Sequence, residues 1–541
     1  MFLLRISLLL LWVTASHAGI YRWVDDNGKV HFGDRPPPKK SDVVQVQAPT
    51  HSQAVEAEMG GASQHQQTLS VHRGAAVGEW AQASMRLQQL RQFLLAGEFD
   101  RLNQGLATVS RLRERDIGHE RMEVWLYHHL IGTDERFKQP LAAWIRHSPA
   151  HYQPYLARLH SLYHQAFAAR GHATSAETSS QQMQRMEHWL TLAEPDIERI
   201  LQRNPQALPA YTAGVWIYKL MGRDDDSQAL FQRGVARLPA SEALYRRYLR
   251  TLRPRWGGSY QAMLNLAQQA NEQAHLNPRL ELVAGEIVAD MMNRQLLDRQ
   301  YRQALQASSE TGFEEHLILR YTGRAHHHLG QYDQAVDWLQ RSVDANPYDN
   351  VSRRYLAQAH RRLEQYLPAA EAMRSVVLTE PWKEKYRQQA ASLVEDMMYH
   401  MRQNLSVHSA EVRHKKLNLA LELSGDDADA RLQLAFYYWD IRQPERAEAE
   451  FEHLLKIAPD NLRVHRQYDR FLVNHGRQWH KIAAFWQRYL KRNPKDSIGW
   501  LEVGGTYYHM KDYRRARHAW KTAAELGNVT AQSNYERIRD W

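Results

Sequence analysis

The chain has 541 residues, of which only 27 are Gly and 19 Pro; 43% are hydrophobic and the mean hydropathy is −0.65, which favours thin stacked layers of helix over a compact α/β enzyme. It contains no cysteine, which excludes disulfides, thiolate catalysis, Cys-based zinc sites, lipidated Cys anchors and c-type haem attachment. A formal net charge of +10, from 70 basic and 60 acidic residues, attracts anionic partners at long range, but no Lys/Arg-dense arm points to nucleic acid, and none is expected.

Arg5 precedes the apolar run Ile6–Val13, and Ser16 and Ala18 are the small residues a signal peptidase reads. The run is too short to span a bilayer, so residues 1–18 read as a cleaved signal peptide that directs the protein to the periplasm. An uncleaved N-terminal anchor is the alternative, because the basic flank is a single Arg. No later stretch approaches 18 consecutive apolar residues, so no membrane span is expected after cleavage.

In residues 19–37, Tyr21 and Trp23 and then Val30 and Phe32 alternate with polar residues around Asp26-Asn27-Gly28, the pattern of a β-hairpin with a tight turn. Tyr21, Trp23, Asp25, Gly28, Phe32, Asp34, Pro36 and Pro37 resemble a small module found behind the signal peptides of proteobacterial envelope proteins, domain-of-unknown-function family four-one-two-four. The resemblance implies a Gram-negative exported protein and brings no chemistry. Residues 38–78, rich in Gln, Ala, Ser, His, Pro and Gly, read as a flexible linker.

Helical spacing begins at Trp80, with Leu87, Leu90 and Leu94 on one face, and continues to the C-terminus. Residues 79–310 read as a helical domain with degenerate repeats. Ala168-Ala169-Arg170-Gly171-His172, the helix ends at Pro205 and Pro239, and Pro254-Arg255-Trp256-Gly257-Gly258-Ser259 resemble family four-zero-three-four, another domain of unknown function, over roughly residues 90–300. Ser259 is the expected N-cap of the next helix.

Residues 311–541 repeat at 34 residues. Tyr332, Ala335, Leu339 and Pro347 return as Tyr366, Ala369, Met373 and Pro381. Tyr438, Ala447, Phe451 and Pro459 form another unit, and Trp500, Val503, Gly504, Tyr507, Tyr513, Ala516, Trp520 and Ala523 the clearest. This resembles the tetratricopeptide pattern, with a Sel1-like echo at Ala523–Asn528 and a polar capping helix running to Arg537. Small residues let paired helices touch, large ones fill the gap to the next pair, and Pro ends the second helix. An enlarged pair is expected near residues 383–425. The predicted fold class is therefore all-α: a helix-turn-helix repeat solenoid, a tetratricopeptide-like superhelix, with a small β-hairpin module in front.

No nucleophile elbow, phosphate loop, zinc-protease motif or dinucleotide fingerprint is present, so no catalytic residue, metal site or cofactor is expected. His160/His164 and His147/His151 are spaced for one helix face but lack a third ligand in the sequence. Asp224-Asp225-Asp226 and Glu314-Glu315 read as helix starts, where carboxylates suit the dipole. Phe436–Trp439 puts four aromatics around one helix, so at least one faces outward. In tetratricopeptide units the fifth, ninth and twelfth positions of the first helix line the groove. The resemblance puts Arg320, Arg324 and His327, and one unit later Arg354, Gln358 and Arg361, on that wall, where guanidinium forks can hold carboxylates. The Asn residues usual in the family's carboxylate clamp are absent. The expected function is a protein-interaction scaffold binding a protein partner in this groove. The alternatives are an accessory that binds an anionic polysaccharide or glycan, with Trp439 as an aromatic contact, and an enzyme in the middle domain.

Overall fold

The structure is a computed structural model that describes residues 78–171, 178–311, 314–404, 409–425 and 427–540, together with the backbone of three short strands nearer the N-terminus. The expected signal peptide lies outside the described residues. Tyr21–Val24 pairs antiparallel with Val30–Gly33, with Trp23 opposite His31. Val43–Val44 adds to the other edge of the first strand, so the order is three-stranded, with the first strand central. A self-contained two-stranded hairpin ending at residue 37 is therefore not the arrangement found; the third strand comes from residues read as linker.

The rest is helical. The first half runs α1 (78–96), α2 (Phe99–Arg115), α3 (Glu120–Leu130), α4 (Lys138–His147), α5 (Gln153–Arg170), α6 (Ser180–Arg203), α7 (Leu208–Leu220) and α8 (Asp224–Arg237). Next come α9 (Glu242–Thr251), α10 (Tyr260–Glu272), α11 (Gly285–Leu297), α12 (Tyr301–Thr311), α13 (His316–His328), α14 (Tyr332–Ala345), α15 (Asn350–Arg362) and α16 (Tyr366–Thr379). The last are α17 (Glu384–Gln403), α18 (Ala410–Ser424), α19 (Ala428–Asp440), α20 (Pro444–Ile457), α21 (Leu462–Asn474), α22 (Trp479–Arg492), α23 (Ser497–His509), α24 (Tyr513–Glu525) and α25 (Val529–Ile538). Among the described residues no helix is long and apolar enough to cross a membrane.

Local chemistry starts and pairs these helices. Ser179 and Gln182 form a capping box at α6, and the Ser259 hydroxyl accepts the Ala262 amide at 3.1 Å, as the sequence predicts. Asp224–Asp226 occupy the first turn of α8. The repeat glycines sit where helices cross: a Cβ on Gly323 would lie 2.6 Å from Leu339 Cγ, and one on Gly504 would overlap the Trp520 ring. The stretch 383–425 holds two longer helices, α17, with 20 residues, and α18, with 15.

The chain divides into two compact units, Met1–Tyr386 and Arg387–Trp541. The division falls inside the predicted repeat domain, not at the expected 310/311 boundary, because the first helices pack onto the repeats that follow residue 340. Arg91 donates to the carbonyls of Leu378 at 2.7 Å and Thr379 at 2.8 Å, and Tyr348 joins the main core beside Trp125. In the second unit Phe451, Tyr468, Phe471, Phe485 and Trp486 are buried as one aromatic core.

Candidate functional site

Helices α13 and α15 are the first members of consecutive repeats, and their N-caps set the register of the predicted site. Asp349 caps α15 by accepting the Val351 amide at 3.0 Å, and it also accepts the Ser352 hydroxyl at 2.6 Å. Arg320 from α13 reaches the same carboxylate, with Nη1 3.1 Å from both oxygens. This corrects one expectation: Arg320 is a mostly buried structural ion pair, not a groove cation free for a partner.

Arg324 and Arg354 are different. They stand on adjacent helices, half-buried, with guanidinium carbons 4.8 Å and 4.7 Å from the centre of the Tyr355 ring. Arg324 also lies 5.3 Å from the Tyr321 ring. Neither arginine has an acidic partner within ion-pair distance among the described residues, and neither Nε has a hydrogen-bond acceptor. His327 completes this face, 5.8 Å from Tyr355 and 5.4 Å from Tyr332 between ring centres. Burial, then the charges of His328, Arg362, Arg324 and Arg354, push its pKa down to about 4, so near neutral pH it is uncharged. Gln358 is half-buried on α15, and Arg361 is engaged within the protein rather than free.

The structure thus brings Arg324, His327, Arg354 and Gln358 together on one face and adds the two tyrosines, which the sequence reading overlooked. Their signal was there: the dipeptide Arg320-Tyr321 returns 34 residues later as Arg354-Tyr355.

Trp439 belongs to the second unit. There it meets Phe471 edge-on at 5.3 Å and lines a cleft of about 510 Å³ with Arg413, Phe436, Tyr437 and Arg470. Arg413 lies over Tyr437 at 5.7 Å and 3.8 Å from Asp440, so this cleft is of mixed charge. Tyr437 is buried, while Phe436, Tyr438 and Trp439 keep exposed edges.

Two further clusters hold the first unit together. Glu286 on α11 is fully buried and accepts Arg250 at 2.6 Å and Arg253 at 2.9 Å, with Arg246 3.4 Å away. Arg246 also meets Glu242 at 2.6 Å and Glu315 at 3.1 Å, so Glu315 is a buried counter-charge as well as the cap of α13. The other cluster joins His160 and His164 to His128 and His129 of α3. His128 lies 4.3 Å from His164, 4.8 Å from His129 and 6.0 Å from His160 between ring centres. His164 Nε2 meets the His128 carbonyl at 2.7 Å and His129 Nδ1 the Trp125 carbonyl at 2.8 Å. Burial pushes His129 and His164 down to about 4 and His160 to about 3. Among the described residues no group of three or more His, Asp or Glu is disposed to hold a metal ion.

The sequence matches the tetratricopeptide repeat family at residues 323–349 and 428–461, which fall on α13–α14 and α19–α20. The chain carries tetratricopeptide repeats in both units. Residues 7–58 match the family described as Domain of unknown function (DUF4124). Neither match reaches residues 90–300, where the likeness to family four-zero-three-four rests on the sequence alone. No curated protein is significantly similar to the chain.

Solved structures similar to it include the P58(IPK) TPR domain, 14% identical, covering 65% of this chain and 92% of that one with a TM-score of 0.22. Another is a tetratricopeptide repeat protein from Parabacteroides merdae, 13% identical, covering 51% and 92% with a TM-score of 0.20. A third, YrrB, described as a TPR protein with an unusual peptide-binding site, is 10% identical and covers 44% and 97% with a TM-score of 0.20. At such scores these likenesses carry no argument about the site.

Proposed function

We propose that this repeat protein is a non-enzymatic periplasmic scaffold that receives an acidic segment of a protein partner on the face formed by Arg324, Tyr355 and Arg354. The observation that carries the reading is the contrast between Arg320 and its neighbours. Arg320 has its own carboxylate, whereas Arg324 and Arg354 are held in place by aromatic faces and leave their donors unused. Holding a guanidinium on a tyrosine lowers the entropy cost of binding, and the open fork suits a side-chain or terminal carboxylate. Support for the periplasm comes from the signal pattern of residues 1–18 and the DUF4124 match behind it. The glycan alternative rests on analogy between repeat proteins.

The test is an affinity capture from periplasmic extract with the wild-type chain beside Arg324→Glu/Arg354→Glu, with helicity of both checked by circular dichroism. Capture of a protein by the wild type and its loss, at least tenfold, in the folded variant is the expected result. Equal recovery by both would place the partner elsewhere. Arg320 is left unaltered because its replacement would strand the buried Asp349 and confuse folding with binding.

A further inference from the structure

The cleft of about 510 Å³ in the second unit has no part in the partner face, and the repeat itself builds its walls. Gln433, Phe436 and Asp440 follow one another at spacings of three and four, so they share one face of α19. Gln467 and Arg470 of α21 stand 34 residues beyond Gln433 and Phe436, which puts them at the same places one repeat later. Arg413 of α18 lines the cleft from a third helix.

The aromatic part of the wall is fixed from behind. Phe436 meets the buried Phe451 edge-to-face at 6.1 Å, and Trp439 meets Phe471 in the same way at 5.3 Å. Both rings keep exposed surface. The polar groups around them are unused. Among the described residues the side chains of Gln433, Gln467 and Arg470 make no hydrogen bond or ion pair, and none is buried. Arg413 and Asp440 approach only to 3.8 Å, beyond hydrogen-bond distance. The Trp439 indole N–H has no acceptor among the described residues and is not sealed from solvent. Other tryptophans of the unit are satisfied: Trp486 donates to Asp469 at 2.7 Å, Trp500 to the Pro494 carbonyl at 2.8 Å and Trp520 to the Leu501 carbonyl at 3.1 Å.

Two amides that donate and accept, a carboxylate that accepts and two guanidinium groups that donate thus converge on one aromatic wall. A sugar ring matches such a set, because it has an apolar C–H face and a rim of hydroxyls that each donate and accept. An extended peptide is read instead by pockets spaced along a groove, whereas these groups share a single cleft, within the roughly 300–1,000 Å³ of small-ligand sites. Arg413 and Arg470 outnumber Asp440, and their forks suit a carboxylate. We propose that this cleft binds an acidic saccharide, with a pyranose ring against Phe436 and Trp439, hydroxyls on Gln433, Gln467 and Asp440, and a carboxylate on Arg470 and Arg413. The site lies within the second unit, and nothing in it depends on the scaffold reading.

The test is isothermal titration calorimetry of the full chain with tetragalacturonate, beside cellotetraose, which keeps the rings without the carboxylates, and tetraglutamate, which keeps the carboxylates without the rings. Saturable binding of tetragalacturonate, at least tenfold tighter than either control, is expected. Arg470→Ala and Gln467→Ala, which break no hydrogen bond of the fold, are each expected to weaken it at least fivefold at an unchanged melting temperature, and Trp439→Leu at least tenfold. Arg324→Glu/Arg354→Glu is expected to leave it unchanged, so failure of the partner face and failure of this site are told apart. No saturable binding of tetragalacturonate, or an affinity unchanged in Arg470→Ala, would overturn the site. Equal binding of tetraglutamate would also overturn it, by making the cleft a peptide or charge surface, and equal binding of cellotetraose would overturn the choice of an acidic sugar.

Discussion

Glu286→Gln is expected to lower the stability of the first unit by about 3–5 kcal/mol, the cost of removing one partner from a buried ion network. The side chain of Glu286 has no exposed surface and answers two guanidinium groups directly, Arg250 at 2.6 Å and Arg253 at 2.9 Å, with Arg246 at the edge of the group. Its neighbours hold its carboxyl well below the usual carboxylate range despite full burial, so attraction to the arginines outweighs desolvation. Glutamine keeps the shape and one acceptor but removes the charge. Arg250 is then left without a counter-ion, and Arg253 keeps only Asp290, at 3.2 Å. Chemical denaturation followed by far-ultraviolet circular dichroism measures the loss. A change under about 1 kcal/mol would mean that water reaches these arginines and the network is not a strut.

Acid is expected to destabilise the first unit as soon as the pH falls below the ordinary histidine range. His129 and His164 are pushed down to about 4 and His160 to about 3, while an unfolded histidine titrates near 6.5. A depressed folded pKa gives stability that is present in full above 6.5 and lost as pH falls toward the folded value. Each such histidine costs about 1.4 kcal/mol per pH unit in that window. Glu120 works the other way. Burial first, then the nearby Glu242, raises it to about 7, so it takes up a proton in the fold before it would in the unfolded chain and returns roughly one histidine's share between pH 7 and 4.5. The depressed histidines of this unit, His128 and His327 included, outnumber the raised carboxyls Glu120 and Glu123, so the net effect of lowering the pH below 6 is a loss of stability. Glu242, held down to about 2, and Glu286 contribute only below about pH 4.5. Denaturation midpoints at pH 7, 6 and 5 check the slope, and His160→Leu should make it shallower. A stability independent of pH across this range would contradict the burial of the cluster.

The solenoid was legible because its rule is local. Where two helices cross, Gly323 against Leu339 and Gly504 against Trp520 leave room for nothing larger, so the small residues recur at the repeat length. The boundary between units was not legible. Arg91 meets the Leu378 and Thr379 carbonyls across nearly 290 residues of sequence, and nothing near Arg91 announces that partner. The histidine pair His160/His164 was visible as spacing on one helix, but its meaning depends on His128 and His129 from another, which turn an apparent ligand pair into a packed neutral cluster. The groove arginines were found through the resemblance, while their division into used and unused was not. That difference rests on Asp349, a helix cap 29 residues beyond Arg320, and on Tyr355, whose ring only the fold places between Arg324 and Arg354.

The most direct measurement is site-specific photocrosslinking of the partner in periplasmic extract. A benzoylphenylalanine is placed at Gln358, beside Arg354 on the proposed face, or at exposed Asp337 on α14. The expected result is a protein adduct from Gln358, none from Asp337, and loss of the Gln358 adduct when Arg324→Glu/Arg354→Glu is added. An adduct from Asp337 alone, or a Gln358 adduct that survives reversal of both arginine charges, would contradict it.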